Sequence, residues 1–151
     1  MKQNLPVVLA IAIFLSVCSS EKRIEIHEIW IRPTAQGDNG AAYFVLHNHS
    51  PEADEMTSAS SDIAEAVEMH ESKMNGDIIE MNQVQTIPMG PYAEIDFAPG
   101  KYHIMLVNVQ KNLDVGDEIE ITLHFKNFED INLNVPVQES PAPEDHSASN
   151  H

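Results

Sequence analysis

Thiols are almost absent from this chain: its one cysteine, Cys18, closes the long apolar run near the start, and no residue after it carries a thiol. The body of the protein therefore holds no internal disulfide, no thiolate metal site, no cysteine nucleophile and no Cys-x-x-Cys redox centre. Basic residues are scarce as well, with 8 Lys and Arg against 24 Asp and Glu, a net charge of -16. A field of that sign repels phosphate, which argues against nucleic acid as a partner. Its plainest role is solubility, with a weak attraction for cations. No window offers a capped amphipathic helix, and no internal repeat is present. The acidic residues are scattered without a recognisable acid/base pair, so an enzyme is the least supported class.

The start of the chain supplies Lys2 and then an apolar run from Leu5 to Val17, interrupted by Pro6 and Ser16. That length suits a secretory h-region and is short for a bilayer span. The run ends Leu15-Ser16-Val17-Cys18-Ser19-Ser20, close to the box that precedes a lipidated cysteine in bacterial lipoproteins, although Val17 is larger than the residue usual at that point. Cleavage before Cys18 with a lipid anchor on that residue, and cleavage after Ser19, both stay open. Residues 1–19 are expected to be a secretory signal that places the protein in the periplasm or cell envelope. Neither cleavage leaves a histidine at the new N-terminus, as a histidine-brace oxygenase would need. Residues 20–137 suffice for one domain with its own core. Residues 138–151, with Pro141, Pro143, Glu144, Asp145, His146, Ser147 and Ser149, have too little apolar content to pack and are expected to form a disordered tail.

Between those ends the hydrophobic period is two. Ile24 to Ile31, Ala42 to His47, Ala66 to Glu71, Ile78 to Val84, Ala93 to Phe97, Tyr102 to Val109, Glu118 to Phe125 and Ile131 to Val137 alternate or run apolar. Turn residues separate them, including Pro33, Gly37 to Gly40, Pro51, Asn75-Gly76, Pro88 to Pro91, Pro99-Gly100 and Val115-Gly116-Asp117. Seven or eight short strands at this spacing predict an all-β fold, an antiparallel Greek-key β-sandwich or barrel.

One set of residues carries chemistry. His70, Met81, His103 and Met105 read as His, ten residues, Met, twenty-one residues, His, one residue, Met. Imidazole and thioether donors suit soft copper(I), whereas carboxylates and water suit hard ions. The missing cysteine rules out the His2Cys core of a blue-copper carrier. Asn75-Gly76 predicts a type I′ hairpin tip, and with that tip His70 falls directly opposite Met81 and Glu71 opposite Glu80. His103 and Met105 lie two apart in a strand and share a face. The other candidates have plainer readings. Met69 is expected in the core and Met74 exposed at the turn, while Met56 and Met89 carry no pattern. His47-Asn48-His49 puts two imidazoles on one strand face, a spacing that can ligate zinc or copper(II), but followed by Ser50-Pro51 it looks like a strand end; His27 and His124 look like sheet-surface residues and Trp30 like a buried anchor.

The ligand motif, with Trp30-Ile31-Arg32-Pro33, Ala41-Ala42-Tyr43-Phe44 and Pro99-Gly100-Lys101-Tyr102-His103-Ile104-Met105, resembles the periplasmic copper chaperones of the PCuAC family. The resemblance spans most of residues 20–137. It implies a cupredoxin-like or immunoglobulin-like sandwich, with one copper(I) ion held in a shallow surface site by His70, Met81, His103 and Met105. It also implies that the two donor pairs meet, and that the acceptor is a copper protein such as the cytochrome c oxidase subunit bearing the copper A site. Some relatives carry a His- and Met-rich tail, whereas this tail has only His146 and His151. A copper buffer or resistance protein needs the same four donors, and a metal-free β-sandwich interaction module would need none of them.

Overall fold

The computed structural model describes residues 23–140. The expected signal at 1–19, Cys18 and the tail from 141 onward lie outside the described residues. Along Glu118–Phe125, Ile119, Ile121, Leu123 and Phe125 are buried while Glu118 and Glu120 face solvent. That alternation buries one face of a pleated strand, and it recurs along the chain. The described residues form β1 (Ile24–Ile31), β2 (Gly40–Asn48), β3 (Asp54–Ser60), β4 (Ala64–Asn75), β5 (Ile78–Val84), β6 (Ile87–Met89), β7 (Glu94–Phe97), β8 (Tyr102–Val109), β9 (Glu118–Phe125) and β10 (Ile131–Pro136). A six-stranded sheet of order β1-β2-β7-β8-β4-β5 packs on a four-stranded sheet of order β10-β9-β3-β6. The all-β sandwich expected from the alternation is the fold observed.

The inner faces close on each other. Ile31, Leu46, Phe97, Ile104 and Leu106 from the larger sheet share one buried cluster with Met56, Ile87, Met89, Ile121, Leu123 and Val135 from the smaller. Phe44 and Phe97 stack with ring centroids 4.1 Å apart. Met69 joins this core, as its strand face predicts. Met56 and Met89, which carried no pattern, belong to it too. Beyond β10, Val137 is buried and bridges Ile31, and the Gln138 N–H donates to the Ile31 carbonyl at 3.0 Å.

Two strands escape the period-two reading. In β3 the polar run Asp-Glu-Met-Thr-Ser-Ala-Ser hides a half-buried strand whose first residue is a buried carboxylate. Asp54 accepts hydrogen bonds from the Phe128 N–H at 2.7 Å, the Asn127 side-chain amide at 2.8 Å and the Asn127 N–H at 3.1 Å. Burial pushes its carboxyl up, but N–H donation from Phe128, Glu55 and Asn127 outweighs that and holds it below its ordinary value. In β6, Pro88 reads as a turn. The strand survives because it lies at the sheet edge, where the missing N–H is not needed, with Ile87 and Met89 turned inward.

Register corrects one sequence expectation. The hairpin tip is Gly76-Asp77, so Asn75 pairs with Ile78, His70 faces Gln83, and Met81 faces Ser72 instead of His70. Gly76 takes φ +64° at the first turn position, the place of glycine in a II′ turn. This register sets Lys73 against Glu80 and Glu71 against Asn82, removing the like-charge pair that the other tip would create. The slip is two residues, an even number, so Met81 stays on the face of His70.

A bulge in β1 does similar work. The pairing with β2 shifts between His27 and Trp30, where Glu28 takes φ 51°. The extra residue lets Glu25, His27 and Trp30 all face outward while Ile31 turns into the core.

Candidate metal centre

The candidate site lies on the outer face of the six-stranded sheet, and a cross-strand row of rings leads to it. Trp30 pairs with Tyr43 at a ring separation of 4.8 Å, Tyr43 lies 6.4 Å from His103, and His103 lies 5.6 Å from His70. Trp30 is buried as expected, but in this outer row and outside the sandwich core. Tyr43 covers one side of His103, whose relative exposure is only 5%.

His70 is the hub. It stands directly opposite His103 across β4 and β8, where Glu68 stands opposite Met105. Met105 on β8 and Met81 on β5 are therefore both diagonal neighbours of His70, at a separation long side chains span. The structure thus forms the His70–His103 pair directly and places the two thioethers on either side of it. Met105 is half-buried, whereas Met81 is 60% exposed on the edge strand. Met74 and Ile79, a facing pair on the same side of the hairpin, are exposed as well.

Each imidazole has one nitrogen anchored and one free. His70 Nε2 lies 2.8 Å from Glu68 Oε2, and its Nδ1 is buried with no hydrogen-bond partner. His103 Nδ1 faces the Lys101 carbonyl at 3.3 Å, which leaves Nε2 as its donor atom. Burial pushes the His103 pKa down, the Lys101 carbonyl pulls it back up, and the neighbouring His70 lowers it again, so the net position is below the ordinary value. A neutral ring with a lone pair to offer is what a metal requires. A carboxylate behind a ligating imidazole fixes its orientation and raises its basicity. Glu68 was missed in the sequence, although its place two residues before His70 on the same strand face was a usable signal. His124 shows the contrast: its Nδ1 meets Asp130 and its Nε2 meets Ser60, both at 2.8 Å, so it is the surface residue expected.

These features define a β-sandwich with one half-buried and one buried imidazole between two thioethers on an outer sheet face. The fold matches the copper-bound PCuAC domain from PmoF2, with a TM-score of 0.67 and 22% identity over 79% of this chain and 95% of that one. It also matches copper(I)-bound DR1885 from Deinococcus radiodurans, with a TM-score of 0.54 and 22% identity over 75% of this chain and 78% of that one. The fold is thus that of the PCuAC domain, in agreement with the resemblance carried by the motif. The uncharacterized protein RP573 of Rickettsia prowazekii is 31% identical over 78% of this chain and 68% of its own length. Residues 24–137 match the family described as "Putative lipoprotein LpqE-like", and the chain belongs to that LpqE-like family.

Proposed function

We propose that this protein binds one copper(I) ion through His70 Nδ1, His103 Nε2 and the sulfurs of Met81 and Met105, and carries it to an acceptor outside the cytoplasm. The observation that carries this reading is the buried, unpartnered His70 Nδ1, on a ring whose centroid lies 5.6 Å from that of His103 across one strand pair. A buried polar atom without a partner costs free energy, and copper(I) satisfies it while accepting the neighbouring thioethers. Copper-bound and copper(I)-bound domains of the same fold support the choice of ion.

Transfer follows from exposure. Met81 is the most accessible of the four donors, so an acceptor's donor atom displaces it first while half-buried His70 and buried His103 still hold the ion. Exposed Met74 and Ile79 beside it offer an apolar rim for the acceptor. The task is binding and ligand exchange, without chemistry on a substrate. The family's lipoprotein description supports an envelope location with Cys18 as the anchor, and the PCuAC resemblance supports the copper A subunit of cytochrome c oxidase as acceptor.

Titration with copper(I) against a chromophoric chelator tests the site. Wild type takes up one equivalent, and replacing both His103 and Met105 with Ala weakens binding more than about a hundredfold, beyond the usual effect of losing an outer-shell partner. Unchanged affinity in that variant overturns the assignment. Mixing loaded protein with apo copper A subunit then tests delivery: metallation of the subunit is expected, and retention of the ion would mark a storage protein.

A further inference from the structure

A second group of donors lies at the other end of the same sheet face. Glu25 and His27 are two residues apart on β1, Glu25 pairs with His47 on β2, and the His49 N–H continues the ladder by donating to the Arg23 carbonyl at 2.7 Å. This register, kept apart from the Trp30 register by the bulge at Glu28, puts all four side chains on the outer face. Glu25 Oε2 lies 2.7 Å from His49 Nε2 and 3.6 Å from His27 Nε2. One donor atom each from Glu25, His27 and His49 lies within 4.8 Å of the others. The His47 ring packs against His49 at 4.0 Å between centroids.

We propose that Glu25, His27 and His49 form a metal site for a divalent ion of the zinc(II) or copper(II) type, with His47 steadying His49 and a fourth position left to water. An Nε2-to-carboxylate contact alone explains His49 as an ion pair. His27 approaches the same carboxylate oxygen, so that three donors converge on one point. Ligands around a tetrahedral ion with bonds of about 2.1 Å sit about 3.4 Å apart, so side-chain rotation on an exposed surface completes the cage. The donor set separates this site from the first: two imidazoles with a carboxylate favour a borderline divalent ion, and no thioether is needed. The nearby cation is turned away, since Arg23 reaches Glu52 and lies over the Phe128 ring at 5.3 Å.

The test is a zinc titration of the full chain, followed by calorimetry, on wild type and on the H27A/H49A, H70A/H103A and H146A/H151A variants. Wild type and the last two variants are expected to keep the zinc site, and H27A/H49A to lose about tenfold or more in affinity. Glu25→Gln keeps the shape of the side chain, removes the anionic donor and is expected to weaken zinc binding in the same direction. Copper(II) added to the zinc-loaded chain should displace the ion, and in the H70A/H103A/H146A/H151A background the nitrogen couplings of its electron paramagnetic resonance spectrum should be lost when H27A/H49A is added. The proposal is overturned by any of three results: no zinc uptake by wild type, equal uptake by H27A/H49A, or a loss confined to H146A/H151A or H70A/H103A. Zinc that resists copper(II) would also overturn the imidazole and carboxylate donor set.

Discussion

Two groups of histidines occupy one sheet face, and their neighbours set them apart. At the β4–β8 end, His70 and His103 are half-buried to buried, flanked by Met81 and Met105, with Glu68 behind one ring. At the β1–β2 end, His27 and His49 are exposed and converge on the Glu25 carboxylate itself. The same imidazole becomes part of a soft site or a borderline one according to whether sulfur or a carboxylate completes the set. Burial sharpens the difference, because it lowers the His103 pKa while the exposed β1–β2 rings keep water as a competitor. Asp54 is a third case: its oxygens are taken up by N–H donors, so it is a structural anion with little left for a metal.

Replacing both His70 and His103 with Ala should have the largest effect and abolish measurable copper(I) binding in a chelator competition, while zinc uptake at Glu25, His27 and His49 persists. Loss of both activities together would erase the distinction between the two ends. Next comes Asp54→Asn. Hydrogen bonds to a charged group are worth about 1.5–3 kcal/mol, and denaturant unfolding should show a destabilisation of about 2 kcal/mol with copper(I) affinity unchanged. Because the folded Asp54 carboxyl lies below its ordinary value, its contribution is present above the unfolded pKa and is lost as pH falls through the folded one. Wild type should therefore lose stability below about pH 4 more steeply than the variant.

Glu68→Ala removes the group that orients His70 without removing a ligand, and should lower copper(I) affinity about tenfold while leaving zinc affinity alone. The smallest effect concerns the metal-free protein. The folded His103 pKa is depressed, so acid protonates the unfolded chain first, and stability present above the ordinary value near 6.5 declines as pH falls below it. His103→Asn should flatten the unfolding free energy between pH 7 and 6. A slope unchanged in that variant would overturn the burial of His103 as its cause.

Much of the fold was legible. The bounds of β1, β5, β8 and β9 follow from alternation and turn residues, because a half-buried strand writes its period directly into the chain. β3 and β6 were not legible, since Asp54 is buried through partners more than seventy residues away and Pro88 is tolerated only at an edge. For the candidate centre, His103 and Met105 were correctly placed on one face. The His70–Met81 relation was read one turn position too early, because Asn75-Gly76 and Gly76-Asp77 are both acceptable tips and the choice follows the cross-strand pairs, with Lys73 set against Glu80.

By itself the sequence determined which donors exist, that no thiol joins them, and which pairs share a strand face, because residue chemistry and the two-residue period are local. The tertiary structure decided that β4 lies beside β8, making His70 and His103 a facing pair, and that β1 lies beside β2 in the register that sets Glu25 against His47, next to His49. Strand order and register across long connections are set by how the two sheets close over their shared core. No segment of the chain carries that information alone.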